Sequence, residues 1–270
     1  MHCGWCRVLL MVAVCGLAGC EALTAVNPSF ELSYTESWKH LRRYAAEPKP
    51  LERPLVFVGP FLDPFFAEWS AVRAARRYTD EPERVTGVSF AAWDTFDRCR
   101  AKVIAAVDEA YPTDDPDATV EVDVIGFSMG GLVTRYAAMP PDAARGQTRR
   151  LKVRRVFTIA SPHRGAAMGP LGVGNALARD MTAGSEFLAR LDAAWPGREY
   201  ELFPYVRLSD AVVGPQNTAP PGATPWWTSS RPFEMAHVQA ATDPRIRADI
   251  FARLRGEEPF TQSPAAPLPD

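Results

Sequence analysis

The run Val120-Glu121-Val122-Asp123-Val124-Ile125-Gly126-Phe127-Ser128-Met129-Gly130-Gly131 dictates more of the fold than any other stretch of this chain. An apolar, strand-like segment ends at Phe127, and Leu132, Val133 and Tyr136 then recur at helical spacing. A strand must therefore turn into a helix around Ser128. A reversal that sharp crowds the positions two residues on either side, and Gly126 and Gly130 present no side chain there. Ser128 is placed at the apex, with the N-terminal amides of the following helix behind it, where they favour developing negative charge.

Further strands and helices alternate around this turn. Leu55-Val56-Phe57-Val58, closed by Gly59-Pro60, predicts a buried strand, and Arg84 to Phe90, Val153 to Ala160 and Tyr200 to Leu208 predict three more. Helices are expected over Pro64 to Tyr78, over Thr95 to about Tyr111 with Asp94 as N-cap, and over Pro244 to Leu254. Phe96, Cys99, Val103 and Val107 share one face of the second of these, so Cys99 reads as a core residue. The pattern predicts an α/β domain over residues 54–255, a mostly parallel sheet with helices on both faces. Pro259, Pro264, Pro267 and Pro269 mark residues 256–270 as a disordered tail.

With these residues in view, the segment Asp123 to Leu132 resembles the nucleophile elbow of the lipase and esterase branch of the α/β hydrolases. Ser161-Pro162-His163-Arg164-Gly165 is similar to that branch's Pro-His-x-Gly segment. The resemblance spans about residues 54–255. It implies an α/β-hydrolase fold and hydrolysis of carboxylic, lipid-like esters through an acyl-enzyme, with no cofactor. It also implies the chain order Ser, acid, His. Of four histidines, His2 lies in the leader and His40 precedes the core. His163 belongs to the segment that is structural or pocket-lining in this branch. His237, in a loop before the final helix, stands where the branch carries its base. Asp210, at the end of the Tyr200 to Leu208 strand, is the acid; Asp243 follows the base, Glu234 is off any strand end, and Asp123 lies inside the elbow strand. Ser128, Asp210 and His237 are thus the expected catalytic set.

An oxyanion hole needs two amides. Met129 supplies one. The second comes from the loop after the first strand, where many lipases carry His-Gly and this chain carries Gly59-Pro60-Phe61-Leu62. Pro60 has no N–H, which leaves Phe61, then Leu62. Phe61, Phe65, Phe66 and Trp69 read as packing or pocket lining, and Trp226-Trp227 as packing or a pocket rim. Glycines at 165, 169, 172, 174 and 184 leave room for a small lid over His163 to Trp195.

The N-terminus carries Arg7 and then an apolar run, Val8 to Gly19, too short to span a bilayer and suited to a signal peptide. It ends in Leu17-Ala18-Gly19-Cys20, which resembles a bacterial lipobox. Residues 1–19 are then the signal peptide, Cys20 the lipidated first residue, and 20–53 a tether. The expected location is the bacterial cell envelope, with Glu21 rather than Asp favouring the outer membrane. Cys99 would be the one unmodified cysteine of the mature chain, which excludes an internal disulfide.

A formal net charge of −2 gives no global pull toward nucleic acid, and no cysteine or histidine spacing suggests a metal. Only Lys39, Lys49, Lys102 and Lys152 accompany the many arginines, which reads as base composition rather than function. The expected partners are an ester substrate and, through the lipid anchor, a membrane. Two other functions fit the same residues: an acyltransferase or thioesterase using the same triad, or a non-catalytic lipoprotein that binds an apolar ligand.

Overall fold

A computed structural model describes residues 29–63, 66–90, 95–142, 145–167, 175–231 and 234–269. Six strands form one sheet in the order β2-β1-β3-β4-β5-β6. They are β1 (Leu55–Val58), β2 (Val85–Val88), β3 (Val122–Phe127), β4 (Val153–Ile159), β5 (Glu201–Arg207) and β6 (Trp226–Thr228). All five pairings are parallel, so every strand delivers its C-terminal end to the same edge. β1 and β3 are interior strands and are buried along their full length, which is why they read as largely apolar runs.

Side chains alternate between the two faces and seed two cores. Val56, Val58, Val122, Val124 and Val156 face one way, against α3 (Phe96–Ala110), α4 (Met129–Ala138), α5 (Ala176–Asp180) and α6 (Glu186–Ala194). Leu55, Phe57, Ile125, Phe127, Phe157 and Ile159 face the other way, against α1 (Tyr34–Ala46), α2 (Phe66–Ala75) and α8 (Pro244–Leu254). Cys99 is buried in the first core, as its helical spacing predicts.

Three expectations change. The N-cap of α3 is Thr95, whose hydroxyl accepts from the Arg98 amide, one residue after the predicted cap. Residues 29–53 are not a bare tether. They hold α1, opened by a capping box in which Ser33 and Glu36 satisfy each other's amides and docked through Leu41 and Tyr44. The C-terminal segment is not disordered either. Phe30 pairs antiparallel with Thr261. The Asp249 carboxylate accepts from the amides of Phe260 (2.6 Å) and Thr261 (2.8 Å) and from the Tyr205 hydroxyl (2.6 Å). Asp249 is fully buried, and this set of donors is what makes its burial tolerable. The indoles of Trp226 and Trp227 donate to the carbonyls of Gln262 (2.6 Å), Ala266 (3.1 Å) and Pro267 (3.0 Å), so the tryptophan pair packs the tail against the sheet edge.

The proposed lid is partly anchored. Phe187 of α6 stacks on Phe96 of α3 with ring centroids 3.7 Å apart, and Leu188 and Leu191 are buried beside it. Residues 168–174, which carry three of the glycines, lie outside the described residues. So does the leader with Cys20.

A chain ending at Glu258 leaves the Asp249 carboxylate without the amides of Phe260 and Thr261, and both indoles without their carbonyl acceptors. It is expected to lose at least about 2 kcal/mol of stability and to melt roughly 5 °C lower or more, as read by thermal denaturation followed by circular dichroism.

Candidate active site

Among the described residues, four other than glycine have positive φ, and each follows a strand at the carboxyl edge: Leu62 (57°) after β1, Ser128 (53°) after β3, Ala160 (50°) after β4 and Ser209 (64°) after β5. Side chains pay a steric cost there, and such strain gathers where the surrounding structure must hold groups in set positions.

Ser128 sits between β3 and α4 at φ 53° and ψ −122°. The neighbouring glycines are required by contact, not by habit. A Cβ on Gly130 would fall 2.0 Å from the Val58 carbonyl oxygen, and one on Gly126 would fall 2.7 Å from the Gly131 Cα. A Cβ on Gly131 would in turn strike the Ser161 hydroxyl at 2.2 Å. The start of α4 is thereby seated directly on the end of β1, next to the loop Gly59 to Asp63. The Met129 amide lies at the first turn of α4. Phe61 is half-buried against the first core, and the buried Asp63 closes its loop by accepting from the amides of Ala67 (3.1 Å) and Glu68 (2.9 Å) at the start of α2.

Three of the residues singled out in sequence come together here. His237, on the short helix α7 (Ala236–Ala240), places Nε2 3.1 Å from the Ser128 Oγ and Nδ1 2.9 Å from the Asp210 Oδ2. Asp210 follows the positive-φ Ser209, and its Oδ1 accepts from the amides of Val212 and Val213, both at 3.0 Å. Those amides fix the carboxylate plane, so the second oxygen is left for the imidazole. With Asp210 accepting, Nδ1 carries the proton and Nε2 is the acceptor that faces the serine hydroxyl. Phe127 covers the imidazole, ring centroids 5.4 Å apart. Ser128 and Asp210 are buried, while His237 keeps a partly exposed edge.

The other candidates have different partners. Asp123 forms a two-pronged pair with Arg155 (3.0 and 2.6 Å), and burial raises its pKa. Asp243 caps α8 and pairs with Arg245 (2.6 Å). Glu234 accepts from Arg207 and from the Arg231 amide. His163 is fully buried between Arg135, which donates to its Nδ1 (3.1 Å), and Thr158 (3.1 Å from Nε2). Arginine can only donate, so Nδ1 is the acceptor and the ring is neutral, a structural histidine. Burial, and then the charges of Arg135 and Arg164, push its pKa well below the ordinary 6.5. Phe65 lies outside the described residues, and Trp69 is exposed on α2. Sequence reasoning did not single out Asp63, which holds its own loop, or Arg207 and Gln239, whose roles depend on partners far along the chain.

Among the described residues, no group of three His, Cys, Asp or Glu side chains could hold a metal ion, and no helix is long and apolar enough to cross a membrane.

Known structures share this architecture. The mature form of the lipase BlEst2 from Bacillus licheniformis has a TM-score of 0.52 at 16% identity, covering 77% of this chain and 94% of that one. Its propeptide form gives 0.52 at 15%, covering 82% and 54%. The phospholipase PlaB from Legionella pneumophila gives 0.49 at 13%, covering 62% and 46%. A domain of unknown function (DUF7379) matches residues 101–201, a stretch that holds Ser128 but neither Asp210 nor His237. No curated protein matches the chain at a significant level. The central parallel sheet with helices on both faces is the α/β-hydrolase fold.

The buried neutral His163 makes stability depend on pH. The unfolded imidazole, near 6.5, takes up a proton that the folded one refuses, so stability falls as pH drops below about 6.5, by up to ~1.4 kcal/mol per pH unit. His40, lowered by its own burial, adds in the same direction. Urea unfolding between pH 7.5 and 5.5 is expected to show this loss, and His163→Asn, although less stable at pH 7.5, is expected to show a flatter slope.

Proposed function

We propose that this chain is a serine hydrolase that cleaves carboxylic esters with apolar acyl groups. The observation that carries the reading is the hydrogen-bonded line from Asp210 through His237 to Ser128, assembled from the ends of β3 and β5 and the helix after β6. A free serine hydroxyl is a weak nucleophile. Here Nε2 of His237 is within reach to take its proton as Oγ attacks the ester carbonyl. Asp210 stabilises the imidazolium that forms and holds its tautomer.

The tetrahedral oxyanion falls beside the N-terminus of α4, where the Met129 amide and the Phe61 amide are the proposed donors. As the intermediate collapses, the C–O bond to the alcohol breaks and the imidazolium returns its proton to the leaving oxygen. An acyl group is left on Ser128. Water, deprotonated by the same imidazole, then attacks the acyl-enzyme; the bond from the acyl carbon to Oγ breaks, the imidazolium returns its proton to Oγ, and the acid is released.

The same loops carry exposed apolar side chains. Leu62 (51% exposed) lies in the β1 loop, Val212 (36%) follows the acid, and Met235 (68%) and Val238 (55%) flank the base. Apolar groups around a polar reaction centre suit a fatty or otherwise water-poor acyl chain. The lipase among the structural neighbours accords with that substrate class. The anchoring reading is also carried as a proposal: Cys20 is lipidated and holds the domain on the envelope membrane, the outer one favoured.

A fluorophosphonate probe is expected to modify the folded wild-type protein at Ser128, located by peptide mass spectrometry. Ser128→Ala should lower kcat on medium-chain nitrophenyl esters by on the order of 10⁴-fold or more, and Asp210→Asn by ~10³- to 10⁴-fold, with the fold intact. Full turnover by Ser128→Ala would overturn the mechanism. Cys20→Ser should abolish incorporation of labelled palmitate into the full chain in a bacterial host. Labelling of that variant equal to wild type would remove the anchor from the proposal.

A further inference from the structure

His237 stands on a helix of five residues whose N-cap, Met235, makes no side-chain capping bond. So short a helix is marginal by itself, so its position has to come from outside. The flanks of the base supply it. Glu234, three residues before His237, and Gln239, two after, both receive the guanidinium of Arg207. Nη2 donates to Glu234 Oε2, and Nη1 donates to Gln239 Oε1 at 2.8 Å. The Nε lies 3.4 Å from Asp243 Oδ2, at the cap of α8, the next helix.

Arg207 is the last residue of β5 and is 5% exposed. Three residues on, after Leu208 and Ser209, the same chain carries Asp210. The strand that delivers the acid therefore also grips both sides of the segment that delivers the base.

Building on the hydrolase reading, the geometry points to Arg207 as a positioning residue, clamping Glu234 and Gln239 so that the His237 imidazole is held between Asp210 and Ser128. Its chemistry suits the task. A planar guanidinium presents several donors in a fixed fork and can hold two acceptors at once, whereas an ammonium on a flexible stem fixes neither direction. Glu234 also accepts from the Arg231 amide at 2.9 Å, so its carboxylate is fixed from a second side. Arg207 does not touch Ser128 or the imidazole; it acts through the backbone on either side of His237.

The test uses the partners of the clamp, both half-buried at the surface, so that the cation stays in place and no buried side chain is removed. In the full-length protein, Glu234→Ala/Gln239→Ala is expected to lower kcat on a nitrophenyl ester by on the order of 100-fold, the loss that a displacement of about 1 Å brings, with KM within about twofold. Labelling of Ser128 by the fluorophosphonate should slow in parallel. Glu234→Gln keeps an acceptor for the guanidinium and should recover most of the rate lost by Glu234→Ala. The low-field proton resonance of the His237 Nδ1–H, read by NMR, should be sharp in wild type and broadened or lost in the double variant.

A double variant that has the native circular dichroism spectrum, wild-type kcat and an unchanged low-field resonance would overturn the proposal. So would a rise in KM with kcat unchanged, which would make these side chains substrate contacts. Should the double variant not fold, Gln239→Ala alone carries the same readouts with a smaller loss. If wild type proves inert and Ser128 unlabelled, the hydrolase reading fails separately. The resonance then decides alone: retained in the double variant it overturns the clamp, and lost it sustains it.

Discussion

The contact on which the rest of this structure depends is the one between Gly130 and the carbonyl of Val58. No side chain fits there, since a Cβ would fall 2.0 Å from that oxygen. Because Gly130 has none, the first turn of α4 rests on the end of β1, and the strand-to-helix turn closes tightly enough to put Ser128 at φ 53°. Two consequences follow from one missing methyl group. The serine is raised at the sheet edge, and the loop from Gly59 to Asp63 is brought beside the amide of Met129. The strain at Ser128 is repeated at Leu62, Ala160 and Ser209, so the carboxyl edge after β1, β3, β4 and β5 is held away from relaxed backbone geometry. Strain of that kind persists only where neighbours leave no alternative, and here the neighbours are the two cores that fix β1, β3, β4 and β5 from both faces.

Apolar packing holds the strands, but it does not hold the loops, and arginine does much of that. Arg155 binds Asp123 and reaches the Arg253 carbonyl (2.8 Å), joining β3 and β4 to the end of α8. Arg245 joins the α8 cap to the Ser229 carbonyl (2.9 Å). Arg135 ties α4 to His163 and to the Leu191 carbonyl (2.9 Å). Arg100 reaches the carbonyls of Tyr136, Met139 and Arg149. Arg100, Arg135 and Arg245 are buried and Arg155 is half-buried, and the fork of each satisfies backbone or carboxylate oxygens that would otherwise be stranded. The arginine-rich composition, which by itself suggests only base usage, has a structural use: few other side chains reach several acceptors in different segments at once.

That explains what was and was not legible in the sequence. The elbow, the strands that flank it and the limits of α8 are local patterns, and they stand where the residues place them. Ser128, Asp210 and His237 could be picked out because the chain order and the strand ends leave few competitors, although their roles remain part of the proposal. The helix α1 was legible in principle, since Ser33-Tyr34-Thr35-Glu36 has the spacing of a capping box, but prolines on either side drew the reading toward a tether. The packed C-terminal segment was not legible. Its prolines predict disorder, and the partners that order it, such as Phe30 for Thr261 and Trp226 for Gln262, are distant in sequence. Asp249 gives no sign in sequence that its carboxylate gathers a hydroxyl and two amides from elsewhere.

His237 is the member of the site with the least local support, and this shapes how the arrangement can fail. Ser128 is fixed by a turn between two long elements, and Asp210 by two amides of its own loop. His237 has only a short helix, one ring contact with Phe127 and polar ties from neighbouring segments. Packing resists displacement over many atoms at once, whereas a polar tie is lost with a single partner. The imidazole can therefore drift while both cores stay intact, so loss of alignment and loss of fold are separable events in this chain. A site built in this way places Ser128 and Asp210 on rigid elements and leaves His237 on the element with the fewest packing contacts of its own.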